Sequence, residues 1–85
     1  MLRLILADDE QYEREYLEKI IKESYPSLLE IVYKAADGVE LMEKLEDYKP
    51  HIVLLDIKMP RMDGLNAAEE IRKKYPDIQM IIISA

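Results

Sequence analysis

The chain contains no cysteine and only two glycines, and its basic residues are outnumbered by acidic ones. Without cysteine, neither a disulfide framework nor a thiolate metal site is available. There are 12 Lys and Arg residues against 18 Asp and Glu, which gives a formal charge of −6. Because the phosphates of nucleic acids are bound by basic surfaces, this balance argues against nucleic acid as a direct partner.

Long hydrophobic runs are missing as well. The longest runs, such as residues 80–83, are far shorter than the ~20 residues that cross a bilayer, and the chain turns acidic at Asp8 before any stretch typical of a secretory signal. An apolar fraction of 49% is nevertheless too high for a disordered chain. We therefore expect a folded cytoplasmic protein that does not contact membranes, and 85 residues allow at most one domain.

Four apolar runs alternate with three amphipathic segments. The runs lie at 2–7, 31–36, 51–55 and 80–83, and the amphipathic segments at 10–24, 38–48 and 65–75. Apolar runs without a period of two are typical of strands covered on both faces. Asp37 is the predicted N-cap of the second helix, and each helical segment is followed by a proline. The alternation predicts an α/β protein with a parallel sheet.

Acidic residues follow two of the predicted strands. Asp8 and Asp9 come directly after the first strand, and Asp56 follows the third. Ligands of open α/β sheets bind beyond the carboxyl ends of the strands, so these three carboxylates meet there if the two strands are neighbours. Their mutual repulsion favours a hard cation, and oxygen ligands select Mg²⁺ or Mn²⁺. The alternative is that Asp8 or Asp9 merely caps the first helix.

Two further features lie at the same predicted end of the sheet. Residues 57–64 form a connection that Pro60 and Gly64 make rigid and tight. Ser84 ends the fourth strand, where its hydroxyl is placed either to hydrogen-bond a bound oxyanion or simply to serve the fold. His51, the one histidine, precedes the third strand and is predicted to lie at the surface rather than to bind a ligand.

Taken together, these segments resemble one family over the length of the chain. Residues 4–10 (LILADDE), 55–64 (LDIKMPRMDG) and 81–85 (IIISA) are similar to the receiver domain of bacterial two-component response regulators. The resemblance implies a flavodoxin-like, doubly wound parallel sheet of strand order 2-1-3-4. It also implies a phosphoacceptor domain rather than an enzyme, with a histidine kinase as partner and a parent protein that regulates transcription.

The resemblance implies a role for each site residue. Asp56 is the phosphoacceptor, Asp9 binds Mg²⁺ directly, and Asp8 binds it directly or through water. The backbone carbonyl of Lys58 is a further metal ligand. Ser84 is expected to hydrogen-bond the phosphoryl group and to shift upon modification, and Ala85 to leave room for that group.

The family pattern continues with a helix, a strand carrying a lysine, and a last helix, none of which we identify in residues 1–85. Lys58 follows Asp56 in a turn and is not assumed to replace that lysine. We therefore expect a receiver domain truncated after the fourth strand, with impaired phosphoryl transfer. In such a chain the fourth strand is an apolar edge, which favours self-association.

The sequence also has three alternative interpretations. An aspartate-nucleophile phosphatase of the haloacid dehalogenase type needs a second aspartate two residues after the first, where this chain has Lys58. A nucleotide-binding fold needs a glycine-rich loop after the first strand, where this chain has an acidic one. The third alternative is an engineered or truncated half-domain whose behaviour is structural and oligomerising rather than signalling.

Overall fold

Four parallel strands and three helices build the structure, a computed structural model that describes residues 1–83. The strands are β1 (Leu2–Ala7), β2 (Leu29–Ala35), β3 (Ile52–Asp56) and β4 (Gln79–Ile83). The helices are α1 (Gln11–Ser24), α2 (Gly38–Tyr48) and α3 (Gly64–Lys74). The sheet order is β2-β1-β3-β4 and every neighbouring pair is parallel, which confirms the predicted α/β fold and strand order.

The predicted elements are all present; β1 and α2 have the predicted boundaries, and the boundaries of the others differ by one or two residues. The second strand begins at Leu29 rather than at residue 31, because Leu2 and Leu29 are already in register. The third strand extends to Asp56, which pairs with Ile83 of β4. This extension places the Asp56 side chain at the last position of the strand.

The two faces of the sheet are covered unequally. Alternate residues of β1 and β3 face α2 and α3, whose contribution includes Leu41, Leu45 and Ile71. The remaining buried residues of these strands face α1, where Ile21 is the buried helix residue. β1 and β3 are therefore buried on both sides, which explains their continuous apolar sequence. Among residues 1–83, no helix combines the length and the hydropathy that crossing a membrane requires.

The helix ends show how side chains set the loops at the carboxyl edge of the sheet. Asp37 caps α2 as predicted, accepting the Glu40 N–H at 2.8 Å. Asp63 caps α3 in the same way, accepting the Asn66 N–H at 2.8 Å, and was not among the predicted caps. Glu10 is the N-cap residue of α1 and has no side-chain cap, so the alternative that Asp8 or Asp9 caps this helix is wrong.

Candidate metal centre

Three carboxylates meet at the carboxyl edge of the sheet, where β1 and β3 are neighbours and Ala7 pairs with Leu55. Asp8, Asp9 and Asp56 each offer one oxygen, and these oxygens all lie within 4.8 Å of one another. The predicted meeting of the three residues is confirmed. Their oxygens are the ligand type that Mg²⁺ and Mn²⁺ prefer.

Asp8 is the buried member of this cluster, with none of its surface exposed. Its Oδ1 accepts the Glu10 N–H at 2.9 Å, and its backbone N–H donates to the Ala35 carbonyl at 3.0 Å. Its Oδ2 is also buried, yet within the described residues it has no hydrogen-bond partner. Because buried polar atoms are nearly always paired, an unpaired buried oxygen on a carboxylate that lies beside two others fits a site for a cation.

The electrostatics of the cluster follow from burial and repulsion. Burial raises the pKa of Asp8 most, the negative charges of Asp56 and Asp9 raise it further, and the hydrogen bond from Glu10 partly opposes them. The negative charge of Asp8 likewise raises the pKa of Glu13. The site therefore holds more negative charge than the metal-free protein easily accommodates, and a divalent cation would relieve it.

Glu13 is a neighbour of the site that was not among the site residues predicted from the sequence. It lies in the first turn of α1 and is half-buried. A helix that begins immediately after a strand turns its first residues back toward the end of that strand. The signal available in the sequence was that Glu13 lies three residues after Glu10, in the first turn of a helix that directly follows β1.

The turn after Asp56 is held by its own backbone. The Lys58 N–H donates to Asp56 Oδ1 at 3.3 Å, and the Gly64 N–H donates to the Ile57 carbonyl at 2.7 Å. The Lys58 side chain is exposed. That the Lys58 carbonyl binds the metal stays a prediction.

A hydrogen bond from α1 holds the turn after β1. The Arg14 guanidinium donates from Nη1 to the carbonyl oxygen of Asp8 at 2.6 Å. This bond fixes the backbone of the buried aspartate from the side of α1. Both aspartate-bearing turns are therefore braced before any ligand arrives, which lowers the entropy cost of ordering the ligand set.

The remaining predicted site residues lie elsewhere or outside the described residues. Ser84 and Ala85 are outside the described residues, so their predicted roles stay predictions. His51 is exposed as predicted, and its Nδ1 accepts the Arg3 N–H at 2.9 Å, which joins the start of β3 to β1 at the edge opposite the acidic cluster.

Comparison with known proteins agrees with this geometry. A family model described as "Response regulator receiver domain" matches residues 4–85. The chemotaxis protein CheY of Listeria monocytogenes is 41% identical over 85 residues, covering 100% of this chain and 69% of that protein. A protein-glutamate methylesterase/protein-glutamine glutaminase of Pyrococcus abyssi is 43% identical over 84 residues, which are 22% of that protein.

Solved structures show the same architecture. A LuxR-family DNA-binding response regulator from Staphylococcus aureus superposes with a TM-score of 0.90 at 37% identity, covering 99% of this chain and 68% of the other. The response regulator domain of Thermotoga maritima CheB gives 0.86 at 36% identity, covering 99% and 60%. The isolated REC domain of RcsB from Salmonella enterica gives 0.90 at 21% identity, and this chain spans 61% of it. The chain thus spans about two thirds or less of the length of these relatives.

Proposed function

The chain belongs to the response regulator receiver domain family of two-component signalling, and from that premise we propose that it accepts a phosphoryl group on Asp56 from a histidine kinase with the help of Mg²⁺. The observation that carries the proposal is the triad of Asp8, Asp9 and Asp56 within 4.8 Å, together with the orphaned buried oxygen of Asp8. Mn²⁺ has the same ligand preference and serves as a substitute.

Asp56 is the member of the triad best placed to act as the nucleophile. It ends β3 and is half-buried, whereas Asp8 is fully buried and Asp9 is exposed. Its carboxylate oxygen attacks the phosphorus of a phosphohistidine, the phosphorus–nitrogen bond breaks, and an acyl phosphate forms on Asp56 while the kinase histidine keeps the released electron pair. Bound Mg²⁺ supplies neutralisation of charge on the phosphoryl oxygens.

The other residues orient this reaction. Asp8 and Asp9 would hold the cation. The Lys58 N–H donates to Asp56 Oδ1, which sets the orientation of the carboxylate and leaves Oδ2 for attack. We further propose that the Lys58 carbonyl is a metal ligand, that Ser84 hydrogen-bonds the phosphoryl group, and that Ala85 leaves space for it. A cytoplasmic location and a role in transcription regulation are part of the same proposal, supported by the family membership and by the DNA-binding relative from Staphylococcus aureus.

The test uses a small phosphodonor, so that the cognate kinase need not be known. The 85-residue chain is incubated with acetyl phosphate and MgCl₂, and the acyl phosphate is located by mass spectrometry of the intact chain and its peptides. We expect modification at Asp56 that requires Mg²⁺, is cleaved by hydroxylamine, and is abolished by Asp56→Asn. Modification at another residue, or none in the wild type, would refute the proposal.

The predicted slow transfer by this 85-residue chain stays a prediction. The same assay tests it with the chemotaxis protein CheY of Thermotoga maritima, which is 39% identical over 84 residues, as the reference. A rate and a final stoichiometry equal to those of the reference protein would contradict the predicted impairment.

A second candidate function, structural self-association through β4, rests on the exposure of that strand. Ile81 is 53% exposed and Ile82 is 41% exposed, and β4 lies at one edge of the described sheet. Unpaired strand edges with apolar side chains favour pairing with another chain. Light scattering at high concentration tests this proposal: we expect a dimer that Ile81→Lys converts to monomer, and a strictly monomeric wild type would refute it.

A further inference from the structure

An ion pair ties the loop after the phosphoacceptor to the start of α2. Arg61 lies in the acceptor loop, which we define as residues 57–63. Its Nε donates to Asp37 Oδ2 at 3.0 Å and its Nη2 donates to Asp37 Oδ1 at 3.1 Å. This two-bond arrangement between a planar guanidinium and a carboxylate fixes direction as well as distance.

Asp37 is itself held firmly, so it is a rigid anchor. Its side chain is only 16% exposed and caps α2 by accepting the Glu40 N–H at 2.8 Å. The Glu40 carboxylate in turn accepts the Ala36 N–H and the Tyr33 hydroxyl, the latter at 2.9 Å. The β2–α2 turn is therefore a small hydrogen-bonded unit, and ordering Arg61 against it requires no new ordering of Asp37.

The backbone at Arg61 is in a conformation that a non-glycine residue rarely adopts. Its φ is 67°, and the Met62 N–H donates to the Pro60 carbonyl at 2.7 Å, closing a three-residue turn around Arg61. Such turns with positive φ are strained, and strained residues of this kind cluster at functional sites where surrounding contacts hold them. The ion pair with Asp37 is the side-chain contact made by this residue.

The same loop also approaches α2 through its backbone. A Cβ atom placed on Gly38 would lie 2.1 Å from the carbonyl oxygen of Met62, so the two segments meet at a distance that only glycine permits. The ion pair at residues 37 and 61 and the close approach at residues 38 and 62 are adjacent. Together they clamp the far end of the acceptor loop onto α2.

We propose that Arg61 is a positioning residue for the metal site: its two hydrogen bonds to the Asp37 carboxylate hold the acceptor loop in the strained turn that sets the Asp56 carboxylate and the Lys58 carbonyl. Only two residues separate Lys58 from Arg61. Met59 is buried, and the carbonyl of Pro60 accepts the hydrogen bond that closes the turn. This inference rests on the proposed function. Arg61 itself does not contact the reacting atoms.

The experiment measures Mg²⁺ affinity by isothermal titration calorimetry, with no phosphodonor present. Arg61→Lys keeps the positive charge but loses the planar guanidinium that donates two hydrogen bonds. Arg61→Asn also loses the guanidinium, but asparagine tolerates a positive φ. We expect both to raise the Mg²⁺ Kd by about three- to tenfold, below the roughly 10–100-fold seen when direct outer-shell partners are removed. Asp37→Asn keeps the N-cap of α2 and is expected to weaken Mg²⁺ binding as much as the Arg61 variants do. The double variant Asp37→Asn/Arg61→Asn is expected to weaken Mg²⁺ binding no further.

A matched control separates positioning from general stability. Lys73 and Glu69 form an exposed ion pair at 3.6 Å on α3, so Lys73→Asn removes a surface pair and is expected to leave the Kd unchanged. Melting in EDTA is recorded for every variant. Arg61 variants that lower Tm but bind Mg²⁺ with the wild-type Kd would overturn the inference alone, provided that wild-type Asp56 is phosphorylated. A wild type that neither binds Mg²⁺ nor is phosphorylated would overturn the proposed function with it.

Discussion

Replacing Gly64 by alanine tests whether the acceptor loop is packed as closely as the structure shows. Gly64 is the first residue of α3, and a Cβ there would lie 2.1 Å from the carbonyl oxygen of Asp56 and 2.8 Å from the Asp56 carbonyl carbon and the Ile57 Cα. All three atoms belong to the backbone and cannot rotate away. The Gly64 N–H also donates to the Ile57 carbonyl at 2.7 Å.

Three contributions, one favourable and two unfavourable, decide the size of the effect. Alanine favours a helix over glycine by about 1 kcal/mol. Overpacking against fixed atoms typically costs about 1–3 kcal/mol, and weakening the hydrogen bond to Ile57 adds about 1 kcal/mol. We therefore expect Gly64→Ala to lower the free energy of unfolding by roughly 2 kcal/mol, which lowers Tm by about 8–16 °C in a domain of this size.

The assay is thermal and urea unfolding of the metal-free chain, followed by Mg²⁺ titration of the folded variant. Glu69→Ala on the exposed side of α3 is the control, expected to change stability by less than about 0.5 kcal/mol. Because the Asp56 backbone must move to admit the new methyl group, Gly64→Ala is also expected to weaken Mg²⁺ binding. A variant as stable as the wild type would refute the close approach of Gly64 to Asp56.

Three further outcomes are expected. Since burial raises the pKa of Asp8 in the folded state, the metal-free protein loses stability as pH rises from the ordinary aspartate pKa to the raised value. Asp8→Asn should flatten this loss and stabilise the metal-free chain at pH 7 by about 1 kcal/mol, as measured by urea unfolding. A pH profile of stability equal to that of the wild type would contradict this prediction. Mg²⁺ at 100 times its Kd should stabilise the chain by about 2.7 kcal/mol in thermal melts, an effect that EDTA reverses and Asp9→Asn abolishes; a Tm indifferent to Mg²⁺ argues against the site. Hydrogen bonds from Lys34 and then Lys22 lower the pKa of Glu18. The stability that these ion pairs contribute is therefore present above the ordinary glutamate pKa and is lost as pH falls through the lowered pKa. Glu18→Gln should lower the free energy of unfolding by about 0.5 kcal/mol at neutral pH and leave it unchanged in acid, as measured by thermal melting at both pH values.

Much of the fold was predictable because its signals are local. The apolar runs, the helical stripes and the prolines after each helix specify the element order without knowledge of any contact between them. Boundaries shifted where pairing decided them, as at Leu29 and Asp56, whose strand character comes from residues on neighbouring strands. The N-cap at Asp37 was predictable for the same local reason, since its hydrogen bond spans three residues.

The acidic cluster was predictable only in part. The positions of Asp8, Asp9 and Asp56 at strand ends, together with a parallel sheet, were enough to bring them together. The sequence carried no sign that Asp8 is fully buried with one oxygen lacking a partner in the described residues. These properties depend on which helix covers the strand end and at what angle.

The sequence by itself thus determined the elements of this protein, their order and the acidic residues at the carboxyl ends of its strands, because each depends on the chemistry of a few consecutive residues. The tertiary structure decided the rest. Arg61 and Asp37 are 24 residues apart, and Gly38 meets the Met62 carbonyl across a gap of the same length. Such partners are brought together only by the packing of α2 against the acceptor loop, so the braces that orient the site had no local signal to reveal them.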